Sequence, residues 1–153
     1  MKTDTTNQPQ IPLILRIVGL PRPQPRPCVT REGHAYNPPS ADAWKARVGL
    51  EARAIRGRTP LAGPIRVDVI FLFPRPLSHF IGRRPERGLR PGAPVWHDIR
   101  PDRDNLDKAI LDALTRARLW GDDAQIADGR IQKRYAAAGE PSGAVVTIGT
   151  CDD

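Results

Sequence analysis

Apolar and polar positions alternate most sharply from Pro64 to Phe73, where Ile65, Val67, Val69, Phe71 and Phe73 interleave with Arg66, Asp68, Ile70 and Leu72. A period of two puts the first set on one buried face of a strand. Ile70 and Leu72 on the other face predict a sheet covered on both sides near that strand's end. Ile11 to Gly19 is a second apolar, β-branched run and predicts another strand. The period turns helical twice. Between Ser40 and Arg56, Trp44, Val48 and Ala52 recur at i+4, with Leu50 and Ile55 nearby; Ser40 is the expected N-cap and Gly57 the expected stop. Leu106, Ala109, Ile110, Ala113, Leu114 and Ala117 follow the i, i+3, i+4, i+7, i+8, i+11 pattern of an amphipathic helix running from Leu106 to Arg118. Gln125 to Tyr135 and Ala144 to Thr150 predict two more strands, joined through a turn at Gly139-Glu140-Pro141-Ser142-Gly143. The order strand, helix, strand, helix, strand, strand predicts a single α+β domain with a mixed β-sheet and two main helices on one face.

Three stretches lie outside these periods. Residues 1–10 are polar and predict a disordered leader. Gly19 to Pro27 alternates proline with Arg22, Gln24 and Arg26, which forbids helix and favours an extended loop. It reads either as a proline-rich linker or as an arginine-studded arm along a phosphate backbone, and the alternation of charge with rigid residues favours the arm. Pro74 to Pro94 holds five Arg and five Pro, too long and polar for an ordinary connection, and predicts a functional or mobile loop.

Charge changes the picture. Residues 1–100 carry 17 Lys and Arg against 7 Asp and Glu, whereas residues 101–153 carry 7 against 10. Twenty of the 24 basic residues are Arg, whose planar fork matches phosphate oxygens. A GC-rich coding sequence would also enrich Arg, Pro and Ala, but a basic first segment favours a polyanionic partner whatever its origin. Two cysteines are too few for a disulfide framework, and the three histidines show no metal-ligand spacing. With neither a signal-peptide pattern nor an apolar run of membrane-spanning length, a soluble cytoplasmic protein is expected.

Against this basic background stand two acidic clusters, Asp102-Arg103-Asp104-Asn105-Leu106-Asp107-Lys108 and Asp122-Asp123-Ala124-Gln125, flanking the second helix. Acids in a first helical turn can be simple caps, each worth roughly 0.5–2 kcal/mol. One cap needs one or two acids, however. Asp102 has no evident capping duty, and Asp123 lies near the helix C-terminus, where an acid opposes the dipole. Three or four carboxylates in one place could instead hold Mg²⁺, which takes one or two of them and completes its octahedron with water and phosphate oxygens. Lys108 can pair with Asp112 at i+4, worth only ~0.2–0.5 kcal/mol, or can face an anion at the helix start.

The run Arg100-Pro101-Asp102-x-Asp104-Asn105-Leu106-x-Lys108, then Asp112-Ala113-Leu114, then Trp120-x-Asp122-Asp123-Ala124-Gln125, resembles the RusA family of Holliday-junction resolvases. The resemblance is tight over residues 100–134. It is weaker upstream, at Gly19-x-Pro21 and Arg26-Pro27 leading to Tyr36-Asn37-Pro38, and is not claimed for residues 1–10 or the loop 74–94. It implies an endonuclease domain over residues 11–150, dependent on Mg²⁺ or Mn²⁺, acting as a homodimer on branched DNA, the four-way junction above all, with a prophage setting among those it allows. By position, Asp102, Asp104 and Asp123 match the family's catalytic, metal-binding acids and Lys108 its essential lysine. Asn105 and Gln125 match as orienting groups, and Asp122 as a neighbouring acid. Arg103 stands where an aliphatic residue is expected in some members. Arg22, Arg26, Arg31, Arg83, Arg84 and Arg100 are the candidate contacts to the DNA backbone. Two other readings stay open: a non-catalytic nucleic-acid-binding module whose acids are caps, and a metal nuclease for other branched DNA or RNA.

Overall fold

The computed structural model describes residues 12–151; the expected leader and the first residue of the first expected strand lie outside them. Along the chain, β1 (Leu13–Val18) is followed by the short pair β2 (Cys28–Val29) and β3 (Ala35–Tyr36), then by α1 (Asp42–Ile55) and β4 (Ile65–Phe73). After a long connection come α2 (Arg103–Arg116), β5 (Ile126–Asp128), β6 (Ile131–Tyr135) and β7 (Gly143–Thr150). The architecture is α+β, as expected from the periods.

β4 organises the mixed sheet. β7 lies antiparallel along one of its edges and carries β1, also antiparallel, on its far side, while β5 and β6 run parallel to β4 along the other edge. The inward faces of β1, β4 and β7 (Leu15 and Ile17; Ile65, Val67, Val69 and Phe71; Ala144, Val146 and Ile148) form one core with Trp44 and Val48 of α1 and Leu106, Ile110 and Leu114 of α2. Each fully buried Leu or Ile of that stripe contributes roughly 1.5–3 kcal/mol. Both helices therefore cover one face of the sheet. Cover on the second face is confined to the end of β4, where Leu72 and Phe73 are both buried.

Four expectations need correction. α1 is not capped by Ser40: Pro39–Ala41 form a 3-10 turn, Ala41 takes the N-cap position, and no side chain caps the helix. Prolines at 38 and 39 preset φ and draw Ser40 inside the turn. α2 begins at Arg103, because its polar first turn carries no apolar period to read. Gln125 to Tyr135 is two strands, broken at Gly129, whose φ of 157° and close approach to the Val67 carbonyl leave no room for a Cβ. Nor do β6 and β7 form a hairpin, since both pair with β4, which lies between them. The apolar β4 needs both edges occupied, and that requirement overrides the short-range turn signal.

The connection from Pro74 to Pro101 is pinned rather than loose. Three 3-10 turns and a Phe80–Leu89 bridge structure it. Arg75 donates from Nε to the Ala136 carbonyl (2.8 Å) and from a terminal nitrogen to the Pro94 carbonyl (2.6 Å). His97 stacks on Phe73, with ring centroids 4.0 Å apart. No helix among the described residues is long and apolar enough to cross a membrane.

Candidate active site

Asp102 sits at the N-cap position of α2 with extended backbone, yet its side chain makes no capping hydrogen bond. It is an exposed carboxylate at the positive end of a helix dipole, with no hydrogen bond to the backbone of the first turn. Asp104 follows in the first turn, also exposed. Four residues on, Lys108 lies on the same side of α2, about 6 Å along its axis. The pairing of Lys108 with Asp112 does not form. Asp112 instead accepts from Lys45 at 2.8 Å and lies 3.4 Å from Arg116. Lys108 has no ion pair among the described residues.

The second cluster has a clear internal division of labour. Asp122 caps the 3-10 turn Asp123–Gln125, accepting the Ala124 N–H at 2.9 Å. Gln125 closes the box: its Oε1 accepts from the Gly121 and Asp122 N–H groups, and its Nε2 donates to the Leu61 and Gly63 carbonyls, both at 3.0 Å. The turn is thus stapled to the segment ahead of β4, and Asp123 is left to project outward. The hydrogen bond it shares with Asp122, with burial and the like charges of Asp122 and Asp112 adding, pushes the Asp123 carboxyl up, while the Ala124 N–H holds Asp122 down. A carboxylate crowded by two others gains most from a nearby cation.

The proline loop joins these groups. Pro21 is fully buried and the Gln24 N–H donates to the Asn105 carbonyl at 2.8 Å, so the segment is fastened across α2 rather than free. It roofs a cavity of about 670 Å³ lined by Arg22, Arg26, Arg100, Asp102 and Asn105. Lys108 and Asp123 share a neighbouring cavity of about 340 Å³ with Asp112 and Arg116. Gln24 lines both, and its Oε1 is buried without a hydrogen-bond partner among the described residues. An orphaned amide oxygen between two acid-bearing cavities is an acceptor waiting for a donor, such as a hydrated cation or an ammonium.

Among the described residues, no three His, Cys, Asp or Glu side chains gather closely enough to hold a metal ion together. Asp102, Asp104 and Asp123 are therefore not a closed protein cage. Their chemistry still fits Mg²⁺, a hard cation that binds through one or two carboxylates and keeps water and phosphate oxygens in its remaining positions. Of the six candidate DNA-contacting arginines, all are exposed, but only Arg22, Arg26 and Arg100 reach the acid-bearing cavity; Arg31, Arg83 and Arg84 do not line it.

Two positions escaped the sequence reading. Gln24 gave no signal beyond its place in the proline run. Lys133, on β6, donates to the Ile99 carbonyl at 2.7 Å and the Pro101 carbonyl at 2.6 Å, fixing the segment that delivers Asp102. Burial pulls its ammonium pKa down, and Asp102 and Asp98 oppose that shift. Its signal was a lone lysine in an otherwise strand-like run.

Comparison with known proteins places the chain in a family. Residues 19–148 match the family model described as Endodeoxyribonuclease RusA. The chain is 30% identical over 123 residues to the uncharacterized protein YqaN of Bacillus subtilis, covering 78% of this chain and 85% of that one. It is 52% identical over 40 residues to the crossover junction endodeoxyribonuclease RusA of Escherichia coli K12, which covers 26% of this chain and 33% of that protein. A protein of the same name from Enterobacteria phage 82 matches to the same extent. With the match running from the proline loop, through both acidic clusters, into the last strand, this chain belongs to the RusA endodeoxyribonuclease family.

Proposed function

We propose that this protein is a Mg²⁺-dependent, structure-selective endodeoxyribonuclease that resolves four-way DNA junctions by hydrolysing paired phosphodiesters as a homodimer. The observation that carries the reading is the placing of Asp102, whose side chain makes no capping hydrogen bond, in one cavity with Arg22, Arg26 and Arg100. A surface built only to bind phosphate gains nothing from a carboxylate there, because it repels the ligand. A surface built to cut needs one.

In this reading Arg22, Arg26 and Arg100 draw the phosphate backbone over the cavity and orient it without reading bases. Of Asp102 and Asp104 at the start of α2 and Asp123 from the stapled turn, one or two would bind Mg²⁺ or Mn²⁺ directly and the rest through water; the ion would supply Lewis acidity, acidifying water and neutralising phosphate charge. Lys108, in the neighbouring cavity with Asp123, would stabilise negative charge developing on the phosphate or leaving oxygen. Asn105 and Gln125 act through the backbone, the first by anchoring Gln24 and the second by fixing the turn under Asp123. Two copies related by a two-fold axis would present one acidic site to each of two equivalent strands.

The test is a synthetic four-way junction incubated with purified protein in Mg²⁺ or in EDTA. Cleavage in Mg²⁺ alone is expected. Asp102→Asn, Asp104→Asn and Asp123→Asn are each expected to abolish cutting while leaving junction binding intact or tighter. A supercoiled cruciform plasmid should go to linear product in one binding event. Binding without cleavage under any divalent ion would leave a nucleic-acid-binding module, and faster cutting of flaps or RNA would leave a nuclease of another preference. A monomer at micromolar concentration that yields only nicked circles would sink the resolvase reading.

A further inference from the structure

The segment just ahead of Asp102 displays Val95, Trp96 and Ile99, each more than half exposed. Trp96 is the informative one. Of the three tryptophans, Trp44 and Trp120 are buried, whereas Trp96 is 59% exposed. The backbone on either side of it is pinned all the same. The Tyr135 N–H donates to the Val95 carbonyl at 2.9 Å and the His97 N–H to the Lys133 carbonyl at 3.2 Å, so residues 95–97 extend the sheet beyond β6 with Trp96 opposite Arg134. Neighbours along an extended segment point to opposite sides. His97 turns inward to stack on Phe73, which sends the indole of Trp96 outward.

Charge decides what such an indole meets. Arg83, Arg84, Arg87, Arg90 and Arg100 are exposed on the same connection, and the chain carries a net charge of +7. A second copy would bring like charge to this segment. A polyanion with flat π-faces complements both the guanidiniums and the indole. Duplex DNA hides those faces in its own stack, whereas a branch point or a single strand offers them. We propose that Trp96 is a stacking platform for an unstacked base of branched or single-stranded DNA, holding the strand whose phosphate faces Asp102. The two residues are six positions apart, so their Cα atoms lie within about 22 Å. The proposal rests on the nuclease reading above but concerns binding alone.

Because the other two indoles are buried, the solvent-exposed part of the intrinsic fluorescence belongs to Trp96. The full chain is titrated in EDTA with a four-way junction, a single strand and a linear duplex of matched sequence. Junction and single strand are expected to quench the exposed emission, and the duplex to leave it nearly unchanged. Trp96→Ala should remove the quenching and weaken junction affinity about tenfold, without altering its salt dependence, since base–aromatic stacking releases no counterions. Trp96→Phe should restore affinity to within about threefold of the parent. If Trp96→Ala melts early, quenching of the parent and the affinity of Trp96→Phe decide the matter. Tight junction binding by anisotropy without quenching overturns the proposal, as does a Trp96→Ala variant of full affinity. An emission shift that follows protein concentration without DNA assigns Trp96 to a protein interface and overturns it equally. Quenching that persists in a parent protein unable to cleave with Mg²⁺ would sink the nuclease reading and leave the platform standing.

Discussion

Lys133 shows how a single side chain can serve the candidate site without touching substrate. Its half-buried ammonium satisfies two carbonyls, those of Ile99 and Pro101, immediately before Asp102. Replacing it by Met keeps the aliphatic stem but strips both carbonyls of their donor. Charged hydrogen bonds of this kind are worth about 1.5–3 kcal/mol each, and part of that loss returns as water enters. Lys133→Met is expected to lower unfolding free energy by about 1–3 kcal/mol and to slow junction cleavage at least tenfold with little change in DNA affinity. Urea denaturation and single-turnover cleavage measure the two effects. Cleavage at the parental rate would show that the position of Asp102 does not depend on this tether.

At the scale of elements, the periods of the sequence located the long pieces and missed the devices between them. β4 and the apolar stripe of α2 were legible because each buries one face at a fixed spacing. The pair β2–β3 was not, since two-residue strands carry no period. The true neighbours of β6 and β7 were equally hidden: strand order is set by which edges β4 must fill, a tertiary demand that leaves no local mark. Of the site, the acids and Lys108 could be read from their pattern and family likeness, whereas the orphaned Gln24 oxygen and the Lys133 tether depend on contacts between distant segments. The break at Gly129 is testable in the same terms. Gly129→Ala must force a Cβ against the Val67 carbonyl at a φ that only glycine adopts readily. A loss of about 1–3 kcal/mol is expected from the backbone strain alone. Gly139→Ala, where φ is also positive but nothing lies within 4 Å, is the control and should cost less. Equal urea midpoints for the two variants would mean that β5 shifts freely along β4.

Across the whole molecule, basic and acidic groups are segregated in sequence and reunited by the fold. The basic first hundred residues supply Arg22 and Arg26 on the proline loop, and the acidic remainder supplies Asp102, with the Gln24–Asn105 hydrogen bond locking one to the other. If this loop grips the DNA backbone, it should dominate the salt dependence of binding. Each phosphate neutralised on a duplex contributes about −0.9 to the log–log slope. Substituting Arg22 and Arg26 together by Ala should make the slope shallower by up to about 1.8 and weaken all DNA sequences alike. The fold should survive, because both side chains are exposed and the loop is fastened through Pro21 and a backbone bond. Net charge alone would also soften the slope, so the control must remove the same two charges elsewhere. Arg53 and Arg58 serve, being exposed at and beyond the far end of α1. The Arg53/Arg58 double variant should keep nearly the parental slope. Equal slopes in the two double variants would show that the loop lies off the DNA and that attraction to the polyanion is a property of overall charge; a shallower slope in the Arg22/Arg26 variant alone shows that the proline loop neutralises backbone phosphates.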